Sequence, residues 1–197
     1  MKYLLVVLLI VPITAVAAGD ADDLLQRAGA MLDKNPTTTG QYTQTATVAA
    51  LSAPLISGGS FYFDRDRGIS WHVERPISAR FVFRPAAVEQ QATPAQQMPM
   101  QWVGRLLNAT MAGDLAELSR TFYVDGSVAA DRWALSLTPR SAAVARALVR
   151  IDIEGGVAVD RVELSEANGD TLAITFSHVD HPPNLPAEVQ SELEQAH

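Results

Sequence analysis

The chain of 197 residues contains no cysteine. No disulfide can staple it, so a fold of this length must be held together by its apolar core. For the same reason the chain offers no N-terminal cysteine for a lipid anchor. Basic side chains are outnumbered, 15 Lys and Arg against 22 Asp and Glu, for a formal charge of −7. That balance argues against nucleic acid as a partner and against lasting adhesion to anionic lipid. No Gly-x-Ser-x-Gly elbow, phosphate loop or dinucleotide fingerprint is present. After the first residues, no run is long and apolar enough to span a bilayer. Internal repeats and low-complexity segments are also missing.

What is present starts with a leader. Met1-Lys2-Tyr3 carries one positive charge, an unbroken apolar run extends over residues 4–11, and Ala15-Val16-Ala17 supplies small residues for cleavage. This pattern predicts a signal peptide over residues 1–17 and an exported protein. Pro12 interrupts the run, which is short for a membrane anchor. Its loss removes a single charge, that of Lys2, and leaves the remainder acidic. Residues 18–197 suit one domain with one core.

The chain is organised around residues 54–76. Here Ser57 to Asp64 and Ile69 to Glu74 read as a β-hairpin joined by Arg65-Asp66-Arg67-Gly68. Ile69, Trp71 and Val73 alternate with Ser70, His72 and Glu74, and Phe61 and Phe63 share a face opposite Tyr62. A sheet face of Phe, Phe, Ile, Trp and Val must be covered. Ahead of it, residues 21–35 read as an amphipathic helix, with Leu24, Leu25, Ala28, Met31 and Leu32 on one stripe. Asp20, Asp22 and Asp23 lie in its first turn, and Asn35-Pro36 ends it. Residues 40–51 and 79–84 read as strands, the latter with Phe81 and Phe83 on one face. A short strand is expected at 88–91, followed by a linker over 91–99.

Residues 100–111 predict a second amphipathic helix with Met100, Val103, Leu106, Leu107 and Met111, and 115–122 a short helical piece. Strands follow at 132–138, 149–154, 158–165 and 171–176. The first of them alternates Trp133, Leu135 and Leu137 with polar positions. Between the first two, Ser141 is expected to cap an Ala-rich helix to about Leu148. The turns Gly155-Gly156 and Asn168-Gly169 join the last three. A final helical stretch is expected at 187–195. Eight or nine antiparallel strands at hairpin spacing make a meander. The helices must cover one of its faces, and Met31, Met98, Met100 and Met111 in or beside them suit adaptable apolar contact.

These pieces resemble the outer-membrane lipoprotein carrier family, the LolA-like proteins. The resemblance runs through Tyr42-Thr43-Gln44-Thr45, then Ser57-Gly58-Gly59-Ser60-Phe61-Tyr62-Phe63, Arg67-Gly68-Ile69-Ser70-Trp71 and Arg75-Pro76. It continues through Trp133-Ala134-Leu135-Ser136-Leu137-Thr138-Pro139-Arg140, Asn168-Gly169-Asp170-Thr171 and Ile174-Thr175-Phe176. It covers most of residues 20–183. It implies a mainly β fold, an unclosed antiparallel half-barrel with an α-helical lid over an apolar cavity for acyl chains. Phe61, Phe63, Ile69, Trp71, Phe81, Phe83, Trp133 and Leu135 are the expected cavity residues. Met100, Val103, Leu106, Leu107 and Met111 are the expected lid. By position Arg65, with Arg67 as the second candidate, is expected to latch the lid. Segment 94–113 and the short Pro-rich C-terminus depart from the founding carriers.

The implied function is a periplasmic, monomeric carrier of lipidated protein or lipid cargo. It would take cargo from an inner-membrane release transporter to an outer-membrane acceptor, with no cofactor and no catalytic residue. A regulatory module that senses lipid or lipoprotein with the same half-barrel is the alternative; a lipid-modifying enzyme is a third reading, for which no nucleophile or metal set is evident. His178-Val179-Asp180-His181 offers two imidazoles but no evident third ligand, so no metal is expected. His72 is expected to be solvated on the polar face of its strand. Gly58-Gly59 is expected to mark a bulge or close packing rather than a serine site. Asp64, Asp66 and Glu74 beside Arg65 and Arg67 read as a solvated turn, and the Asn108-Ala109-Thr110 sequon as chance.

Overall fold

The computed structural model describes residues 18–84 and 98–195, with side chains from Val103 onward in the helix that begins at Met98. Helix α1 (Ala18–Met31) precedes strands β1 (Thr37–Thr47), β2 (Leu55–Asp64), β3 (Gly68–Arg75) and β4 (Ala79–Phe83). Helices α2 (Met98–Ala112) and α3 (Leu118–Thr121) lead into β5 (Phe122–Val128) and β6 (Trp133–Pro139). After α4 (Ala142–Ala145) come β7 (Leu148–Gly155), β8 (Val159–Glu166), β9 (Thr171–Asp180) and α5 (Ala187–Gln195). The expected signal peptide, the strand at 88–91 and nearly all of the 91–99 linker lie outside the described residues.

All nine strands form one antiparallel sheet in the order β4-β3-β2-β1-β9-β8-β7-β6-β5. Chain-order hairpins build each half, and pairing of β1 with β9 joins them. β4 and β5 do not pair with each other, so the sheet is open, as the half-barrel reading requires. Period-2 alternation then decides which side is covered. Phe61, Ile69, Trp71, Leu135, Ile153, Val162 and Ile174 all lie on one face, and each is nearly or fully buried. Leu25, Ala28 and Leu32 from the α1 segment and Val103, Leu106 and Leu107 from α2 join the same apolar cluster. Each such side chain contributes about 1.5–3 kcal/mol when fully buried, which is how a chain without disulfides holds this fold.

Gly58-Gly59 does mark a bulge: the β2–β3 register shifts between these residues. A Cβ at Gly59 would sit 1.9 Å from the His72 carbonyl oxygen. The absent side chain lets the β3 backbone close on Gly59, whose cross-strand partner on β1 is Tyr42. The Tyr42 ring lies against Trp71 with centroids 3.8 Å apart.

Several local expectations are corrected. β1 starts at Thr37 and stops at Thr47, because residues 48–51 close a turn through the Leu51 N–H to the Val48 carbonyl, 2.8 Å. The helical piece expected to reach Phe122 is a single turn, and β5 follows it. No strand was expected over 122–128; within β5, Gly126 has φ +154 and a Cβ there would meet the Ala134 carbonyl at 2.1 Å. Ser141 is the N-cap of α4 but makes no side-chain cap bond, and the helix ends at Ala145. β9 runs on to Asp180. Helix α5 lies on the opposite sheet face from α1 and α2. Its Val189 and Leu193, with Leu185 just ahead of it, form a separate cluster with Tyr62 and Val82.

Candidate functional site

The site is the face of the sheet lying under α1 and α2. Cross-strand pairing sets Phe61 against Trp71 and Phe63 against Ile69, and in turn Trp71 against Phe81 and Ile69 against Phe83 of β4. In the other half Leu135 faces Ile153, and Trp133 faces Gly155. Small residues make room for large ones: a Cβ at Gly40 would lie 2.6 Å from the Phe61 ring. Tyr42, Phe61, Trp71 and Phe176 form one aromatic group. Phe176 meets Phe61 edge-on at 5.4 Å and Trp71 at 6.2 Å.

Of the eight expected cavity residues, Phe61, Phe63, Ile69, Trp71, Trp133 and Leu135 are buried on this face. Phe81 is 44% exposed on β4, an edge strand of the sheet. Phe83 is half-buried against α2, where Gly104 is in close approach; a Cβ there would be 2.7 Å from the ring. Of the expected lid, Val103, Leu106 and Leu107 are buried and Met111 is half-buried. Met100 lies on α2, and its side chain is outside the described residues.

Between lid and sheet lies a cavity of about 30 Å³, bordered by Leu32, Phe61, Thr110, Met111 and Val159, with Asp33, Thr38 and His181 among its polar borders. Of the expected wall residues, Phe61 borders this cavity.

The two lid helices are held differently. Just past α1, the Asp33 N–H donates to the carbonyl of Val157 in the turn between β7 and β8, at 2.8 Å. Within α1, Arg27 donates to the Val128 carbonyl at 3.2 Å. The C-terminus of α2 meets an arginine. Gly113 adopts φ +70, and the N–H groups of Gly113 and Asp114 turn back to Thr110 and Ala109. This αL stop leaves the Ala112 carbonyl pointing outward. Arg65 Nη1 donates to it at 3.0 Å, while Nη2 donates to the Asn35 carbonyl at 3.3 Å. One guanidinium thus spans the ends of both lid segments. Arg67 goes elsewhere, to Asp64 at 3.8 Å and to Glu194 of α5 at 3.4 Å.

His72 is not the solvated residue expected from alternation. Its Nε2 lies 2.8 Å from Glu192 of α5, and the wholly buried Ser70 hydroxyl donates to the same carboxylate oxygen at 2.8 Å. Burial acts to raise the Glu192 pKa, but the hydrogen bonds from His72 and Ser70, with the charges of His72 and Arg80, outweigh it and lower it. The tail histidines do not converge. His181 turns to Thr38, 3.1 Å away, and His178 stays beside Ser177. Among the described residues no group of three or more His, Cys, Asp or Glu could hold a metal ion. Among them, too, no helix is long and apolar enough to cross a membrane.

Sequence reasoning missed Tyr42 and Phe176 as parts of the aromatic group, although both lie in quoted motifs. It also missed Glu192 as the partner of His72. Alternation identifies a face but not which rings will reach across a glycine.

The family model described as outer membrane lipoprotein carrier protein LolA matches residues 33–189. The chain belongs to the LolA family. A protein from Bordetella avium described as an outer-membrane lipoprotein carrier protein is 28% identical over 185 residues, covering 91% of this chain and 86% of that one. Solved structures of similar shape include a DUF1329 family protein from Desulfovibrio piger, with TM-score 0.45, 11% identity, and coverage of 89% of this chain and 98% of that one. Another is a LolA superfamily protein from Nitrosomonas europaea, with TM-score 0.39, 10% identity, and coverage of 86% and 96%.

Proposed function

We propose that this LolA-family chain is a carrier that shelters the acyl chains of lipidated protein or lipid cargo between α2 and the aromatic sheet face. The observation that carries the reading is the single-arginine closure: a buried aromatic face lies under a helix whose last carbonyl is held by Arg65. The energetics fit a reversible container. Burying one methylene is worth about 0.8 kcal/mol, so about ten of them give about 8 kcal/mol. A hydrogen bond from a charged donor is worth about 1.5–3 kcal/mol. An entering chain can therefore displace the latch, and the latch can reclose the lid once the chain has left. Arg65 is the latch in this reading; Val103, Leu106, Leu107 and Met111, with Met100 beyond them, are the lid. Phe61, Phe63, Ile69, Trp71, Phe83, Trp133 and Leu135 become cavity wall when α2 lifts, with Phe81 at the open edge.

In the cell the carrier would work as a monomer in the periplasm after loss of residues 1–17. It would accept cargo from an inner-membrane release transporter and yield it to an outer-membrane acceptor. The role is binding and release, not turnover. The test uses delipidated protein and a fluorescent fatty-acyl probe. Saturable uptake, reversed by competition with unlabelled palmitoyl ester, is expected; absence of uptake at any probe concentration below its own aggregation point refutes the reading.

A further inference from the structure

Two tryptophans are buried on the covered sheet face, and their indole N–H groups are treated differently. Trp133 Nε1 donates to the Gly156 carbonyl at 2.8 Å. Trp71 is wholly buried, and its Nε1 has no hydrogen-bond partner. Buried donors are almost always paired, and one left alone calls for an explanation. Beside it the hydroxyl of Tyr42, a residue only 2% exposed, reaches the His72 carbonyl only at 3.4 Å, the long limit of a hydrogen bond.

The rings lie 3.8 Å apart and tilted by 32°, which sets the indole N–H beside the Tyr42 hydroxyl; the indole pulls on the phenol oxygen without reaching full hydrogen-bond geometry, and the acceptor of the hydroxyl itself, the His72 carbonyl, is distant. Burial pushes the Tyr42 phenol up to about 12, against a smaller opposing pull from the Trp71 indole; the charge of Glu74 adds to the rise. Tyr42 therefore keeps its proton and remains a donor. Around the pair are the Phe61 and Phe176 rings, and Phe61 borders the small cavity under the lid. A donor-rich, acceptor-poor point on an apolar wall, next to space that grows when α2 lifts, suits an oxygen acceptor carried on an apolar chain.

We propose that the Trp71 indole N–H and the Tyr42 hydroxyl form a carbonyl-reading subsite, donating to the ester or amide carbonyl of a fatty-acyl group. This rests on the acyl-carrier reading and specifies which part of the cargo the protein recognises. A neutral carbonyl fits better than a free carboxylate. An anion buried here would pay its desolvation cost in the field of Glu74. The subsite would let the carrier prefer acylated molecules over hydrocarbon chains of equal length.

The test compares two ligands of matched length, methyl palmitate and hexadecyl methyl ether, as competitors of a fluorescent acyl probe on the full chain. The ester is expected to bind about five- to tenfold tighter than the ether, the factor that one net hydrogen bond supplies. Trp71→Phe and Tyr42→Phe should each shrink that preference, and the double variant should abolish it while both ligands still bind. In wild-type protein the Trp71 indole ¹⁵N–¹H resonance should move downfield with the ester and stay in place with the ether. That measurement decides the matter if the variants fold poorly. Equal affinity for both ligands, with no selective resonance shift, overturns the subsite but leaves the carrier reading standing. Failure of both ligands to compete overturns the carrier reading and the subsite with it.

Discussion

Arg65, in the turn between β2 and β3, donates from Nη1 to the carbonyl oxygen of Ala112, the last residue of α2, at 3.0 Å. Its other terminal nitrogen donates to the Asn35 carbonyl. This contact carries the first prediction. Arg65→Leu removes the donor and raises the fraction of molecules with α2 lifted. Apparent affinity for a ligand that needs the open form scales with that fraction. The acyl probe should therefore bind about tenfold more tightly to Arg65→Leu, for about 1.4 kcal/mol of latch. Arg67→Leu should leave probe affinity unchanged, because Arg67 contacts Asp64 and Glu194 and not the lid. A titration in which the two variants behave alike would remove Arg65 from the latch.

The second prediction concerns Gly59. A Cβ there would lie 1.9 Å from the His72 carbonyl oxygen and 2.9 Å from the Glu74 nitrogen, both backbone atoms that cannot step aside. Gly59→Ala should displace β3, disturb the Tyr42–Trp71 ring contact and cost more than about 3 kcal/mol, above the usual range for overpacking. Chemical denaturation should show a large fall in midpoint. A loss below about 1 kcal/mol would mean that the bulge is free to relax.

The third prediction is a pH dependence confined to α5. The Glu192 carboxyl has its folded pKa held below the ordinary 4.5. A carboxylate depressed on folding contributes stability that is present above its unfolded pKa and lost as pH falls through the folded one. Around it stand Ser70 and His72 of β3 and Arg80 of β4, with Glu188 of α5 sharing Arg80. The clasp should thus hold near neutrality and loosen as the pH drops below 4.5. Amide exchange protection in α5 should fall over that range while the sheet stays protected. Glu192→Gln should flatten the response.

How far the sequence discloses this fold depends on what each signal encodes. Ile69, Trp71 and Val73 alternate cleanly, and their hairpin is where alternation placed it. Alternation says which residues share a face but not what lies over it. Phe81 shares the Trp71 face yet remains exposed at an edge. His72 sits on the other face and is covered by a helix from the far end of the chain, a contact with no local signature. Strand β5 went unread, because its start at Phe122 fell within the stretch expected to be helical. That Arg65 would be the arginine meeting a helix end was an expectation from resemblance alone. A four-residue polar connection says nothing by itself of which arginine will meet a helix end more than forty residues later.

The absence of cysteine makes the last prediction unusually clean. A Cβ built on Gly104 of α2 lies 3.1 Å from the Cβ of Phe83 on β4. Disulfide-linked Cβ atoms sit about 3.5–4.5 Å apart, so a small outward adjustment of α2 brings this pair into range. Replacing Phe83 by Cys also removes the ring that would clash with a side chain at Gly104. With no other thiol in the chain, Gly104→Cys combined with Phe83→Cys can form only one intramolecular bridge. If acyl chains enter by lifting α2 from β4, the oxidised double variant should lose uptake of the fluorescent probe, and reduction should restore it. The single variants, in oxidising and reducing buffer alike, control for the loss of the Phe83 ring. Uptake that is equal before and after reduction would place the entrance somewhere other than beneath α2, because the bridge would then hold shut a door that the cargo does not use.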